Sequence, residues 1–165
     1  MTAAPMAIRR AIIIAVGSEL LTPFRTDTNS LFLTSRLNDL GIEVVAKFVA
    51  GDRRAELAGL IQEAMSRADL VVLTGGLGPT DDDVTRLAVS DALGLPLDED
   101  GTIVERIRQR FARRGLEMPA VNRAQAQVLR GAVVLANPNG TAPGQWIERD
   151  RGVVALLPGP PREMG

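Results

Sequence analysis

Thr74-Gly75-Gly76-Leu77-Gly78 is followed closely by Asp81, Asp82 and Asp83. Clustered glycines let backbone N–H groups approach an anion, and a helix starting just beyond adds positive partial charge. The spacing is neither GxGxxG nor a Walker A sequence. Three carboxylates there would repel a bound phosphate, and a divalent cation between them and the phosphate oxygens would resolve the conflict. Magnesium does this with one or two carboxylates. Thr80-x-x-Asp83 also resembles a capping box with Asp in place of Glu or Gln, and acidic residues suit a first helical turn. Capping needs only two such residues and leaves Gly75, Gly76 and Gly78 unexplained. A second acidic pair, Glu19 and Asp27, stands in a loop with Ser18, Thr26, Thr28 and Asn29. Either of the pair could instead cap a helix near Thr28 or be solvated.

The residue inventory narrows the chemistry. The 165 residues include no cysteine, histidine or tyrosine, and Lys47 is the sole lysine. That excludes disulfides, thiolate or imidazole metal sites, histidine bases and a P-loop lysine. Carboxylates, hydroxyls, arginines, amides and backbone remain, which suits a hard cation on oxygen ligands. With 19 basic and 20 acidic residues the formal charge is −1, against a broadly basic nucleic-acid binder. Arg106, Arg108, Arg110, Arg113 and Arg114 fall on one helical segment but are spread around it, so a solvated face is expected.

The elements that must position these residues alternate. Ala11–Val16 is a continuous apolar run, as in a parallel strand covered on both faces. Helical spacing follows over Thr28–Leu40, a strand over Ile42–Val49, a helix over Arg53–Arg67 and a strand over Leu70–Leu73. Asp83–Leu93 and Glu99–Arg114 read as helices, and Asn122–Gln127 as a short one. Val133–Leu135, Gln145–Glu148 and Val153–Leu157 read as strands, the last two joined by a turn at Asp150-Arg151-Gly152. The expected fold is α/β, three layers around a mostly parallel sheet with an antiparallel addition. One domain over 1–165 is expected, with residues 1–8 frayed. Pro160-Pro161 resembles a helix start, so a truncated final helix is expected. No apolar run approaches the ~20 residues of a spanning helix. The expected location is the cytoplasm, with no membrane or nucleic-acid partner. Ligands of such sheets bind beyond the carboxyl ends of the strands. That puts the 17–29, 74–86 and Leu157–Pro161 segments on one sheet edge, while the Asn137–Gly144 segment reads equally as a set of ordinary turns.

At these segments the chain resembles the N-terminal domain of the CinA family (competence/damage-inducible protein A), which shares the molybdopterin-binding fold of the MoaB and MogA proteins. The matching stretches are GSELL and DTNSLFL at 17–33, VAGD at 49–52 and DLVVLTGGLGPTDDDVTR at 69–86. MPAVNRAQA at 118–126, NPNGTAPG at 137–144 and LPGPPREM at 157–164 follow in the family's order. Thr22-Pro23-Phe24-Arg25 departs from the glycine-containing loop of many members. Full-length members often add a C-terminal amidase domain, not found in these residues.

The resemblance implies hydrolysis of ADP-ribose to AMP and ribose 5-phosphate, requiring a divalent metal (Mg, Mn or Co) and potassium. The alternatives are molybdopterin binding with adenylyl transfer or insertion, and a nucleotide-binding module without catalysis. It implies that Asp83 and Glu19 face the phosphates. The expected arrangement has Glu19 and Asp83, joined by Asp82 or Asp27, as catalytic and metal-holding carboxylates. Thr74, Gly75, Gly76 and Gly78 cradle the diphosphate. Asn29, Thr85 and Asn137, Gly140 and Thr141 shape the sugar or base pocket, with Gly159 at the last loop. A small-molecule nucleotide substrate and a homodimer or homotrimer are the implied partners.

Overall fold

Seven consecutive residues of β1 (Arg10–Val16) put Ala11, Ile13 and Ala15 on one face and Ile12, Ile14 and Val16 on the other. Both faces are buried, and that burial is why the sequence shows an unbroken apolar run instead of alternation. The computed structural model describes residues 7–164. Its main sheet has the order β2-β1-β3-β8-β7-β6. β2 (Glu43–Ala50), β1, β3 (Leu70–Thr74) and β8 (Gly152–Leu157) run parallel. β7 (Gly144–Arg149) and β6 (Val133–Leu135) add on antiparallel. This is the three-layer, mostly parallel architecture expected from the sequence.

α2 (Arg54–Arg67) and α3 (Thr85–Leu93) cover one face, packing Leu57, Ile61, Ala88 and Val89 against Ile12, Ile14, Leu73 and Leu156. α1 (Asn29–Asp39) covers the other face with Leu33 and Leu37 against Ala11, Ile13 and Val72. Each fully buried Ile or Leu contributes roughly 1.5–3 kcal/mol. α4 (Gly101–Ala112) packs Ile103, Val104 and Ile107 against Ala126, which ends a 3₁₀ turn over Ala120–Ala126. The periodicity reads that turn as a short α-helix; the backbone is tighter.

Three expectations need correction. β4 (Leu97–Glu99) and β5 (Gln127–Leu129) form a separate antiparallel ribbon that three-residue strands with polar Asp98 and Glu99 do not announce. Gln145 ties this ribbon to the main sheet, accepting from the Leu129 N–H (2.8 Å) and donating to the Gln127 carbonyl (2.9 Å). Residues 1–6 lie outside the described residues. Ile8 is not frayed, because it packs on the α1 face. The Arg9 and Arg10 N–H groups both donate to Asp69 (2.9 Å each). Finally, α3 starts at Thr85, not Asp83, and its N-cap Val84 offers no side-chain cap.

Candidate functional site

A cleft of about 560 Å³ opens at the carboxyl ends of β1, β3 and β8, where the crossovers from β1 to β2 and from β3 leave a crevice. The volume lies within the roughly 300–1,000 Å³ of small-molecule sites. Among the residues anticipated from sequence, Glu19, Asp27, Asn29, Thr74, Gly75, Gly76, Gly78, Asp83, Thr141 and Gly159 line it. Thr85, Asn137, Gly140 and Asp82 do not.

The glycine segment is held from several sides. Gly75 has φ +96°, and a Cβ there would run into the Val16 carbonyl oxygen. Gly76 has φ +65° over the Thr85 hydroxyl. Only glycine accepts both the angle and the approach. Thr85 is fully buried and donates its hydroxyl to the Gly75 carbonyl (2.8 Å), while its N–H reaches the Gly76 carbonyl (3.2 Å). Thr85 therefore braces the loop from below and does not line the cleft. The Gly75 N–H donates to the Leu157 carbonyl (3.1 Å), and the Gly78 N–H to Asp83 Oδ1 (2.7 Å). Among the described residues, the N–H groups of Gly76 and Leu77 keep no protein acceptor. The anion-binding capacity of the loop reduces to these two.

Asp83 departs from its expected part. Its Oδ2 accepts from the Thr80 N–H (2.9 Å) and the Thr80 hydroxyl (2.6 Å), so with Gly78 its carboxylate closes the 78–83 turn. It caps its own loop and not α3. Asp27 is likewise engaged: Oδ1 accepts from the Ser30 N–H (3.0 Å) and Oδ2 from the Ser30 hydroxyl, which caps the first turn of α1. Glu19 sits on a 3₁₀ turn over Ser18–Leu21, and its carboxylate has no hydrogen bond among the described residues. Among the described residues no three carboxylates gather into a group able to hold a metal. A cage of Glu19, Asp27 and Asp83 does not fit, since two of the three are spent on the protein's own donors. Glu19 alone is available to share an ion with phosphate oxygens.

The charge that balances Asp83 is built into the chain. Arg86, 3% exposed, donates to the Leu77 carbonyl (2.7 Å) and the Gly78 carbonyl (2.8 Å) from beneath the loop. Burial pushes its guanidinium down to about 10 and Asp83 opposes the shift, so the group stays cationic at neutral pH. Sequence reasoning placed Arg86 inside a motif without a role. Its signal was the one-turn spacing from Asp83 on an otherwise apolar helix face.

Asn29 fastens the walls, donating to the Thr74 hydroxyl (3.0 Å) and to the Gly159 carbonyl (2.6 Å). Thr74 in turn donates to the Pro158 carbonyl (3.1 Å). Asn137 is buried and holds the Ala142 carbonyl (2.8 Å) and Glu163 (2.8 Å), so it shapes the 137–142 loop from outside the main cleft. Gly140 packs under Glu163, where a Cβ would collide. Arg25, Gln125 and Glu163 also line the cleft. Gln125 is oriented by the Asn122 amide (2.9 Å), giving the 118–126 motif its place.

Comparison with known proteins agrees with this geometry. The family model described as a probable molybdopterin binding domain matches residues 12–165. A CinA-like protein of Koribacter versatilis is 52% identical over 158 residues, covering 93% of this chain and 38% of that relative. The chain thus spans less than two-fifths of that relative's length. The structure of a CinA protein from Thermoplasma acidophilum, described as of unknown function, superposes with a TM-score of 0.87 at 31% identity, covering 94% of this chain and 92% of that one. The molybdopterin biosynthesis enzyme MoaB of Thermus thermophilus shares the fold, with a TM-score of 0.60 at 23% identity over 95% of this chain and 87% of that one. With the family model matched over nearly the whole chain and a CinA structure superposing on it, the chain belongs to the probable molybdopterin binding domain family, in its CinA-like branch.

Proposed function

We propose that the cleft binds a phosphorylated pterin of the molybdopterin class, for adenylyl transfer to its phosphate or for metal insertion. The observation that carries this reading is the pair of open N–H groups at Gly76 and Leu77, backed by the buried Arg86 cation. Two backbone donors and a fixed positive charge supply the stabilisation that phosphoryl chemistry demands, and that chemistry needs no histidine. The family description and the MoaB fold support the pterin class. Gln125, Thr141 and Arg25 provide polar groups around the remaining space, enough to orient a heterocycle.

The test is calorimetric titration of the purified domain with molybdopterin, AMP and ADP-ribose. Saturable pterin binding that weakens about tenfold or more in Arg86→Met is the expected result, given the strength of charge-assisted hydrogen bonds. Failure of all three to bind at millimolar concentration overturns the reading.

Glu19 favours a second reading, hydrolysis of ADP-ribose to AMP and ribose 5-phosphate. Its carboxylate is unengaged at the rim of the same cleft. It would hold a divalent ion together with the phosphates, and such an ion polarises phosphate oxygens when bound. ADP-ribose turnover with magnesium, manganese or cobalt, lost in Glu19→Gln, would support it. Equal turnover in wild type and Glu19→Gln would remove Glu19 from the chemistry. Nucleotide binding with no product under any of the metals would leave a binding module.

A further inference from the structure

We propose that the groove between α4 and the 136–141 segment is a second anion site, built to take a phosphate group. The groove has a volume of about 380 Å³. Arg106, Arg110 and Arg113, spaced one helical turn apart, all line it, and no carboxylate does. The main cleft has the opposite balance, with Glu19, Asp27, Asp83 and Glu163 against Arg25. Six other arginines, Arg53, Arg54, Arg67, Arg108, Arg123 and Arg130, each meet a carboxylate. Among the described residues, none of the three groove arginines does.

Convergence of three unpaired cations costs electrostatic energy, and an anion relieves it. The groove is also pre-shaped. Arg110 donates to the Pro138 carbonyl (3.0 Å) and the Asn139 carbonyl (2.7 Å), which fixes its guanidinium with N–H groups to spare. Asn139 is itself held, its N–H donating to Asn137 Oδ1 (3.2 Å) and its side-chain amide to the Arg162 carbonyl (2.9 Å). Arg106 and Arg113 are exposed and free to close on a ligand. Planar forks of this kind suit phosphate oxygens. Thr141 lines both the groove and the main cleft, so the two sites meet across one residue. The phosphate has two sources: the far end of the ligand held in the cleft, or a free phosphate compound acting from outside.

The experiment is a titration of the domain with inorganic phosphate, then with pyrophosphate and ADP, followed by backbone amide shifts in NMR. Saturable shifts at residues 106–113 and 138–141 are expected with inorganic phosphate. Affinity should fall about tenfold or more in Arg106→Gln/Arg113→Gln, whose exposed positions leave folding intact. It should weaken as salt rises. With ADP, shifts at Gly76 and at α4 sharing one midpoint assign the site to the far end of a spanning ligand. Separate midpoints assign it to a free phosphate, and either outcome supports the site. Phosphate shifts confined to Gly75–Gly78, or an affinity unchanged in the double variant, overturn it. Binding at α4 is read independently of the pterin titration, so failure of one leaves the other standing.

Discussion

A guanidinium taken out of water costs several kcal/mol unless its donors are met. Arg86 meets that condition with the Leu77 and Gly78 carbonyls, the two residues around the open face of the loop. Arg86→Met should therefore strand two carbonyls at ~1–3 kcal/mol each, visible as a lower melting temperature, as well as weakening ligand. Arg86→Lys should restore little, because an ammonium lacks the planar fork. The position of Asp83 gives a sharper contrast. As a turn brace it accepts three hydrogen bonds, so Asp83→Asn should lower stability by about 1–3 kcal/mol without any ligand. Were it a metal ligand repelled by its neighbours, the same change would raise stability in chelator, and a melt in chelator separates the two. The identity of these residues was legible in the sequence, and their duties were not. Glycines beside aspartates signal an anion loop, but only coordinates show that Asp83 and Asp27 turn inward to backbone donors.

A side chain that accepts from the first turn can fix where an element starts. Asp100 does so for α4, accepting from the N–H groups of Thr102 (2.8 Å) and Ile103 (3.2 Å). Asp100→Ala should cost roughly 1 kcal/mol in chemical denaturation with an unchanged slope. At the edge of β1, Asp69 plays the matching part for a strand. Hydrogen bonds from the Arg9 and Arg10 backbone hold its carboxyl below the ordinary 3.8. A depressed carboxyl contributes stability that is present above its unfolded value and lost as pH falls through the folded one. Asp91 beside Arg54 and Asp98 beside Arg130 are lowered in the same direction. The melting temperature should thus fall between about pH 5 and about pH 2, with a shallower fall in Asp69→Asn. The long elements were readable because buried faces impose their periods on Leu33 and Leu37 or on Leu57 and Ile61. β4 and β5 were not, since three residues hold too little of any period.

Across the whole molecule, the parallel order and the cleft at the strand ends follow from strands alternating with helices, a pattern that survives in sequence because both sheet faces must be covered. Truncating the centre tests that frame: Ile14→Ala, at a fully buried position, should cost about 2–5 kcal/mol while leaving the cleft residues in place. The arginine groove shows the limit. Arginines that look scattered along 106–114 divide once α4 docks, with Arg108 turning to Glu105 and three others turning to one loop. No local pattern encodes that sorting, because it depends on a partner segment some thirty residues away. The clasp from Asn29 to the Gly159 carbonyl joins positions 130 residues apart. During synthesis, then, nearly all of the domain must leave the ribosome before the pocket can exist. A small molecule bound there would stabilise only chains that have passed Gly159, shielding them from proteases that digest shorter ones.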